Sequence, residues 1–194
     1  MRQFHNTSCL YDHAGQRKYL TAAERERFLD AAAASRDQKV HTLCLVLSHT
    51  GCRVSEALAL TPAHIQRESA VVSIISLKKR GKLLVREIPI PADIIETLET
   101  IHHLTDMSDD EPLWPMGRTT AWRQIKSVMT AAGITLKTAA NPKGLRHGFG
   151  VRAVQVGVPL NLVQRWLGHA DISTTAIYTN ALGAEERELA ARMW

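Results

Sequence analysis

No uninterrupted apolar run in this chain reaches the ~18 residues that a membrane-spanning helix needs. Residues 1–20 also lack the apolar stretch of a secretory signal. Membrane spanning and secretion are therefore set aside. Cysteine is sparse and odd in number (Cys9, Cys44 and Cys52). That excludes a disulfide framework and fits a reducing compartment, so a cytoplasmic protein is expected. Aromatic residues make up only 5% of the chain, so its core must be built from Leu, Ile, Val and Ala. The most telling absence is acid. Residues 112–170, 59 in all, hold eight Lys or Arg and no Asp or Glu. Elsewhere 16 basic residues face 19 acidic ones, so the whole net charge of +5 sits in that one block. A one-signed stretch of this length suits a surface that meets a polyanion.

What is present is a chain of 194 residues, 45% apolar, long enough for one ordinary domain and too apolar for wholesale disorder. Residues 1–18 show no periodicity and read as an arm or linker remnant. Thr21-Ala-Ala-Glu24 is a capping box that opens a helix to about residue 34. A second helix is expected over 38–48, broken by Gly51, and a third over 53–60, stopped by Pro62. The β-branched run Val71–Leu77 and the run 83–90 read as a hairpin around a basic turn, Lys78-Lys79-Arg80-Gly81-Lys82. Helices follow over 91–104, 119–132, 144–156, Leu160–Leu167, 173–182 and 184–194, with 106–111 as an acidic loop. The expected fold is mainly α with one small antiparallel β-sheet.

Four stretches carry residues suited to chemistry. They are Thr50-Gly-Cys-Arg53-Val-Ser-Glu56, the basic hairpin turn, Lys143-Gly-Leu-Arg146-His147, and Leu167-Gly-His169-Ala-Asp-Ile-Ser-Thr-Thr-Ala-Ile-Tyr178. These resemble the tyrosine recombinase (phage integrase) family. Its members carry an Arg in a T-G-x-R-x-x-E-x-x-x-L box, a Lys on a hairpin turn, a [HK]-x-x-R box, and L-G-H with Tyr nine residues after the His. The boxes stand in family order across residues 19–182. Within the family, KGLRHGFG and VPLNLVQRWLGH look most like the integrases of plasmids and transposons.

The resemblance implies the catalytic-domain fold of that family and a site-specific recombinase acting through a 3′-phosphotyrosyl intermediate. Two guanidiniums, Arg53 and Arg146, suit the non-bridging oxygens of a phosphodiester that gains charge during transesterification. His169 would donate a further hydrogen bond to the same phosphate. Tyr178 would be the nucleophile. A phenol has a pKa near ~10, and nearby positive charge is expected to lower it. The leaving 5′ oxygen needs a proton, for which Lys78 is the first choice as general acid and Lys79 the alternative. Lys79, Arg80 and Lys82 are also expected to contact DNA. Lys143 stands where many members have His, and is expected to act through charge and phosphate contact. Glu56, three residues after Arg53, is expected to orient it.

No cofactor is expected, because the bond energy is held in the phosphotyrosine. Nor is a metal expected: Cys44, His49 and Cys52 match no standard zinc spacing, and His102 and His103 fall on different sides of a helix. The implied partner is double-stranded DNA, with a homotetramer on DNA and a monomer without it. The expected organisation is an arm over 1–18, a catalytic domain over 19–182 and a C-terminal helix over 183–194 that docks on a neighbour or folds back. The family's N-terminal core-binding domain is not expected within these residues, as for either a fragment of a longer recombinase or a compact one made of the catalytic domain alone. The alternative function is a non-catalytic DNA-binding or regulatory relative that keeps the fold.

Overall fold

The computed structural model describes residues 10–77, 83–181 and 190–193. In it the Thr21 hydroxyl accepts from the Glu24 N–H, and the Glu24 carboxylate accepts from the Thr21 N–H. This reciprocal cap starts α1 (Ala22–Ala33). Arg17 donates to both Glu24 oxygens, which ties the preceding segment to the helix start. α2 (Gln38–Thr50) begins on an Asp37 cap and ends at Gly51. Its Leu43, Cys44 and Val46 are fully buried, and α1, α4 (Ala92–His102), α5 (Arg118–Ala131) and α6 (Pro142–Gln155) pack around it.

The sheet has three strands in the order β1 (Ile65–Gln66), β2 (Val71–Leu77), β3 (Leu83–Pro89), all antiparallel. The hairpin reads as expected, and the added strand is too short to show a period in sequence. Alternation on β3 turns Arg86 and Ile88 inward and Val85 and Glu87 outward. An arginine thus occupies a position that strand geometry reserves for the core. On β2 the inward set is Val72, Ile74 and Ser76.

The acid-free block folds into α5, α6 and α7 (Leu160–Leu167), the last with the limits read from sequence. A large apolar cluster surrounds α2. A second, smaller one joins Leu10, Val151, Val163, Leu167, Ile177 and Tyr178 between α6, α7 and the segment after it. No described helix is long and apolar enough to cross a membrane.

Two expected helices are shorter than the sequence indicates. The segment 53–60 forms only α3 (Val54–Ala57), and Arg53 precedes it with extended backbone angles, φ −77° and ψ 152°. The segment 173–182 forms one α-turn, α8 (Ser173–Ala176), which tightens into a 3-10 turn over Ile177–Ala181. The β-branched Thr174, Thr175 and Ile177 disfavour a longer α-helix there. Of the expected C-terminal helix, residues 190–193 are described, and Ala191–Met193 make a 3-10 turn. The remainder of that helix and the basic turn with Lys78, Lys79, Arg80 and Lys82 lie outside the described residues.

Candidate active site

Arg146 enters the site from the first turns of α6. Its Nη1 donates to the Gly51 carbonyl at 2.7 Å and its Nη2 to the Leu167 carbonyl at 2.6 Å. Those carbonyls lie at the C-terminal ends of α2 and α7, where unpaired carbonyls and the helix dipole favour a cation. One guanidinium therefore joins two helix ends more than 100 residues apart in sequence. Burial, and then repulsion from Arg53, lower its pKa to about 10, so it stays cationic at neutral pH.

Arg53 is held from below. Glu56 accepts the Arg53 backbone N–H and its Nη1, both at 2.8 Å. The same carboxylate accepts the Ser76 hydroxyl at 2.6 Å and Arg86 Nη2 at 2.8 Å. Arg86 continues the chain of contacts, donating to Ser76 Oγ and to the Trp166 carbonyl. Arg86 is 1% exposed, whereas the Arg53 side chain is 50% exposed. The carboxylate thus neutralises the buried cation, which leaves the outer one turned to the cleft. Burial by itself would raise the Glu56 carboxyl; the Arg53 N–H, Ser76 and Arg86 outweigh it and hold it at about 2.

The Gly168-His169 pair follows from packing at the end of α7. Gly168 has φ 66°, and a Cβ there would stand 2.9 Å from the Arg86 guanidinium. The tight turn delivers His169 to the cleft, where its Nδ1 is hydrogen-bonded to the fully buried Thr175 Oγ1 at 2.9 Å. The His169 ring stacks on Tyr178, with centroids 6.2 Å apart and planes 19° apart. Burial, then the charges of Arg146 and Arg53, lower His169 to about 4, so the ring is neutral at pH 7.

Tyr178 lies on the 3-10 turn with its ring against α6. A Cβ at Gly150 would come within 2.5 Å of the ring carbons, so only glycine lets the ring lie there. The Tyr178 hydroxyl is hydrogen-bonded to His147 Nδ1 at 3.2 Å. The expectation of a lowered tyrosine pKa is overturned. Arg146 and Arg53 do pull it down, but the ring is 1% exposed and burial pushes the phenol up to about 12.

Arg53, Lys143, Arg146, His169 and Tyr178 line one open cleft of about 690 Å³. Arg118 and Trp122 of α5, Asn141 and His147 line it too, and no carboxylate is among its described lining residues. Lys143 stands exposed at the start of α6. Cys44 is buried in the core, and His49 donates from Nδ1 to the Leu45 carbonyl, so both are accounted for by packing. Sequence reading missed Arg86, Ser76, Thr175, Arg118 and Trp122, and gave His147 no role. His147 had a signal, adjacency to Arg146 with a glycine one turn on; Arg86 had none beyond its inward register.

Comparison with known proteins identifies the family. The phage integrase family profile matches residues 18–185. The tyrosine recombinase XerD of Brucella abortus is 32% identical over 210 residues, spanning 96% of this chain and 66% of that protein. The crystal structure of XerA recombinase superposes with a TM-score of 0.76 at 26% identity, over 90% of this chain and 64% of that one. XerH recombinase, solved bound to its difH substrate, gives 0.72 at 24% identity, over 95% of this chain and 59% of that one. The chain spans 50–66% of the length of the first curated relatives it matches. With the family profile covering most of its length, and with Arg53, Lys143, Arg146, His169 and Tyr178 in one cationic cleft, the chain belongs to the phage integrase family of tyrosine recombinases.

Proposed function

We propose that this chain is the DNA-cleaving part of a site-specific recombinase, and that Tyr178 attacks a phosphodiester to give a 3′-phosphotyrosyl intermediate. The observation that carries the reading is the shared cleft. Arg53, Lys143, Arg146, His169 and Tyr178 come from four separate elements and meet in it; no carboxylate is among its described lining residues, and Glu56 behind it is spent on Arg53 and Arg86. Arg53 and Arg146 clamp the non-bridging oxygens as negative charge develops there. With Nδ1 held by Thr175, His169 donates from Nε2 to the same phosphate. Lys143 adds charge at the mouth. The proton for the leaving 5′ oxygen comes from the hairpin lysines, Lys78 or Lys79. Lys79, Arg80 and Lys82 grip the backbone beside it.

The catalytic unit is residues 19–182. It works on double-stranded DNA in the cytoplasm, as a monomer that assembles into a tetramer on its sites. A nicked duplex that loses its 5′-hydroxyl fragment after cleavage traps the intermediate. The wild-type chain is expected to form a denaturant-resistant adduct with such a duplex, and Tyr178→Phe none. DNA binding without any adduct would favour a non-catalytic relative that keeps the fold.

A further inference from the structure

Tyr178 has to release its proton as its oxygen bonds to phosphorus, and Lys143 is poorly suited to take it. Lys143 is exposed at the cleft mouth, and an ammonium has no lone pair to accept with. The tyrosine hydroxyl instead meets His147 Nδ1 at 3.2 Å. We infer that His147 is the general base of this site, receiving the Tyr178 proton during attack. The inference rests on the recombinase reading above and deepens it.

The contact is built into α6. Gly150 admits the Tyr178 ring against the helix, and His147 lies three residues earlier, on the same face. The two rings meet edge to face, 5.8 Å apart. His147 is itself buried, so its orientation is set by packing. The groups around it are Lys143 and Arg146 on α6, Lys18 from the segment before α1, and His169 and Tyr178 across the cleft. Burial first, then the charges of Lys143, Arg146 and Lys18, lower the imidazole to about 4. At neutral pH it is therefore uncharged and keeps an acceptor nitrogen.

Because the phenol is held near 12, ionisation before attack is unfavourable, and the proton moves together with bond formation. In that step the Tyr178 Oη–P bond forms and the P–O5′ bond breaks. The Oη proton passes to His147 Nδ1, and the 5′ oxygen takes a proton from the hairpin lysine. The extra negative charge on the phosphoryl group offsets the new imidazolium beside Arg146. In religation the 5′-hydroxyl attacks, its proton returns to the lysine, and His147 gives its proton back to the departing phenolate.

The test is single-turnover adduct formation on the nicked duplex between pH 6 and 9, with the wild-type chain, His147→Asn and His147→Ala. Asparagine keeps an acceptor oxygen near the Nδ1 position but cannot carry the proton. Both variants are expected to bind DNA like wild type. At pH 7 both should form adduct about 10²–10⁴-fold more slowly. Their rates should climb roughly tenfold per pH unit as hydroxide replaces the base, with a shallower climb for wild type. Variant rates within threefold of wild type, or a loss equal at every pH, would overturn the inference, the second because it marks a structural role. A wild-type chain that forms no adduct would overturn the recombinase reading itself, and the inference with it.

Discussion

Replacing Glu56 by glutamine tests the buried scaffold under Arg53. The carboxylate answers four donors: the Arg53 N–H, Arg53 Nη1, Ser76 Oγ and Arg86 Nη2. Glutamine keeps the shape but turns one acceptor into a donor and leaves Arg86, 1% exposed, without its counter-charge. Removing one partner of a buried pair destabilises by about 3–5 kcal/mol. Linkage gives a similar size. A carboxyl that titrates near 4.5 unfolded and at about 2 folded contributes on the order of 3 kcal/mol at neutral pH. Because the folded pKa is the lower one, that stability is fully present above about pH 4.5 and fades as pH falls toward 2. Urea unfolding of wild type and Glu56→Gln at pH 7 should differ by about 3 kcal/mol, and by clearly less at pH 3. A difference under about 0.5 kcal/mol at pH 7, or the same difference at both pH values, would show that Glu56 does not hold the Arg86 charge.

Gly150→Ala drives a Cβ into the Tyr178 ring. Adduct formation on nicked DNA should fall at least tenfold, an effect worth about 1.4 kcal/mol, while DNA affinity holds; an unchanged rate would show that the ring does not need α6. In Arg146→Lys a single ammonium replaces the fork that reaches both the Gly51 and Leu167 carbonyls, which should lower stability by about 1–3 kcal/mol in thermal unfolding. A melting temperature equal to wild type would contradict the bridging role. His147 and His169 should titrate near pH 4 by NMR. Both are depressed below the ordinary value near 6.5, so the stability tied to their neutral forms is complete above pH 6.5 and declines toward pH 4. Midpoints above pH 6 would refute their burial among cations.

Much of the site could be read from sequence because each box states a local requirement. The Thr21–Glu24 cap, the turn at Gly168 and the β-branched run of β2 act within a few residues, and the structure has each of them. What could not be read is what depends on distant partners. Arg86 looks like an ordinary basic residue in a strand; only the register that turns it inward and the approach of Glu56, 30 positions earlier in the chain, make it the buried base of the site. His147 likewise meets Tyr178 across 31 positions, through a gap that Gly150 leaves open. The raised tyrosine pKa could not be read from sequence, which shows charge but not burial. The 3-10 winding at Tyr178 and the two-residue β1 are too short to leave a period.

In the proposed reaction Tyr178 becomes covalently joined to a DNA 3′ phosphate. Proteolysis of the adduct trapped on a nicked duplex, followed by mass spectrometry of the nucleotide-bearing peptide, tests it most directly. A single modified residue, Tyr178, linked to a 3′-phosphate is expected, with a free 5′-hydroxyl on the released strand. A linkage at another residue, or through a 5′-phosphate, would contradict it.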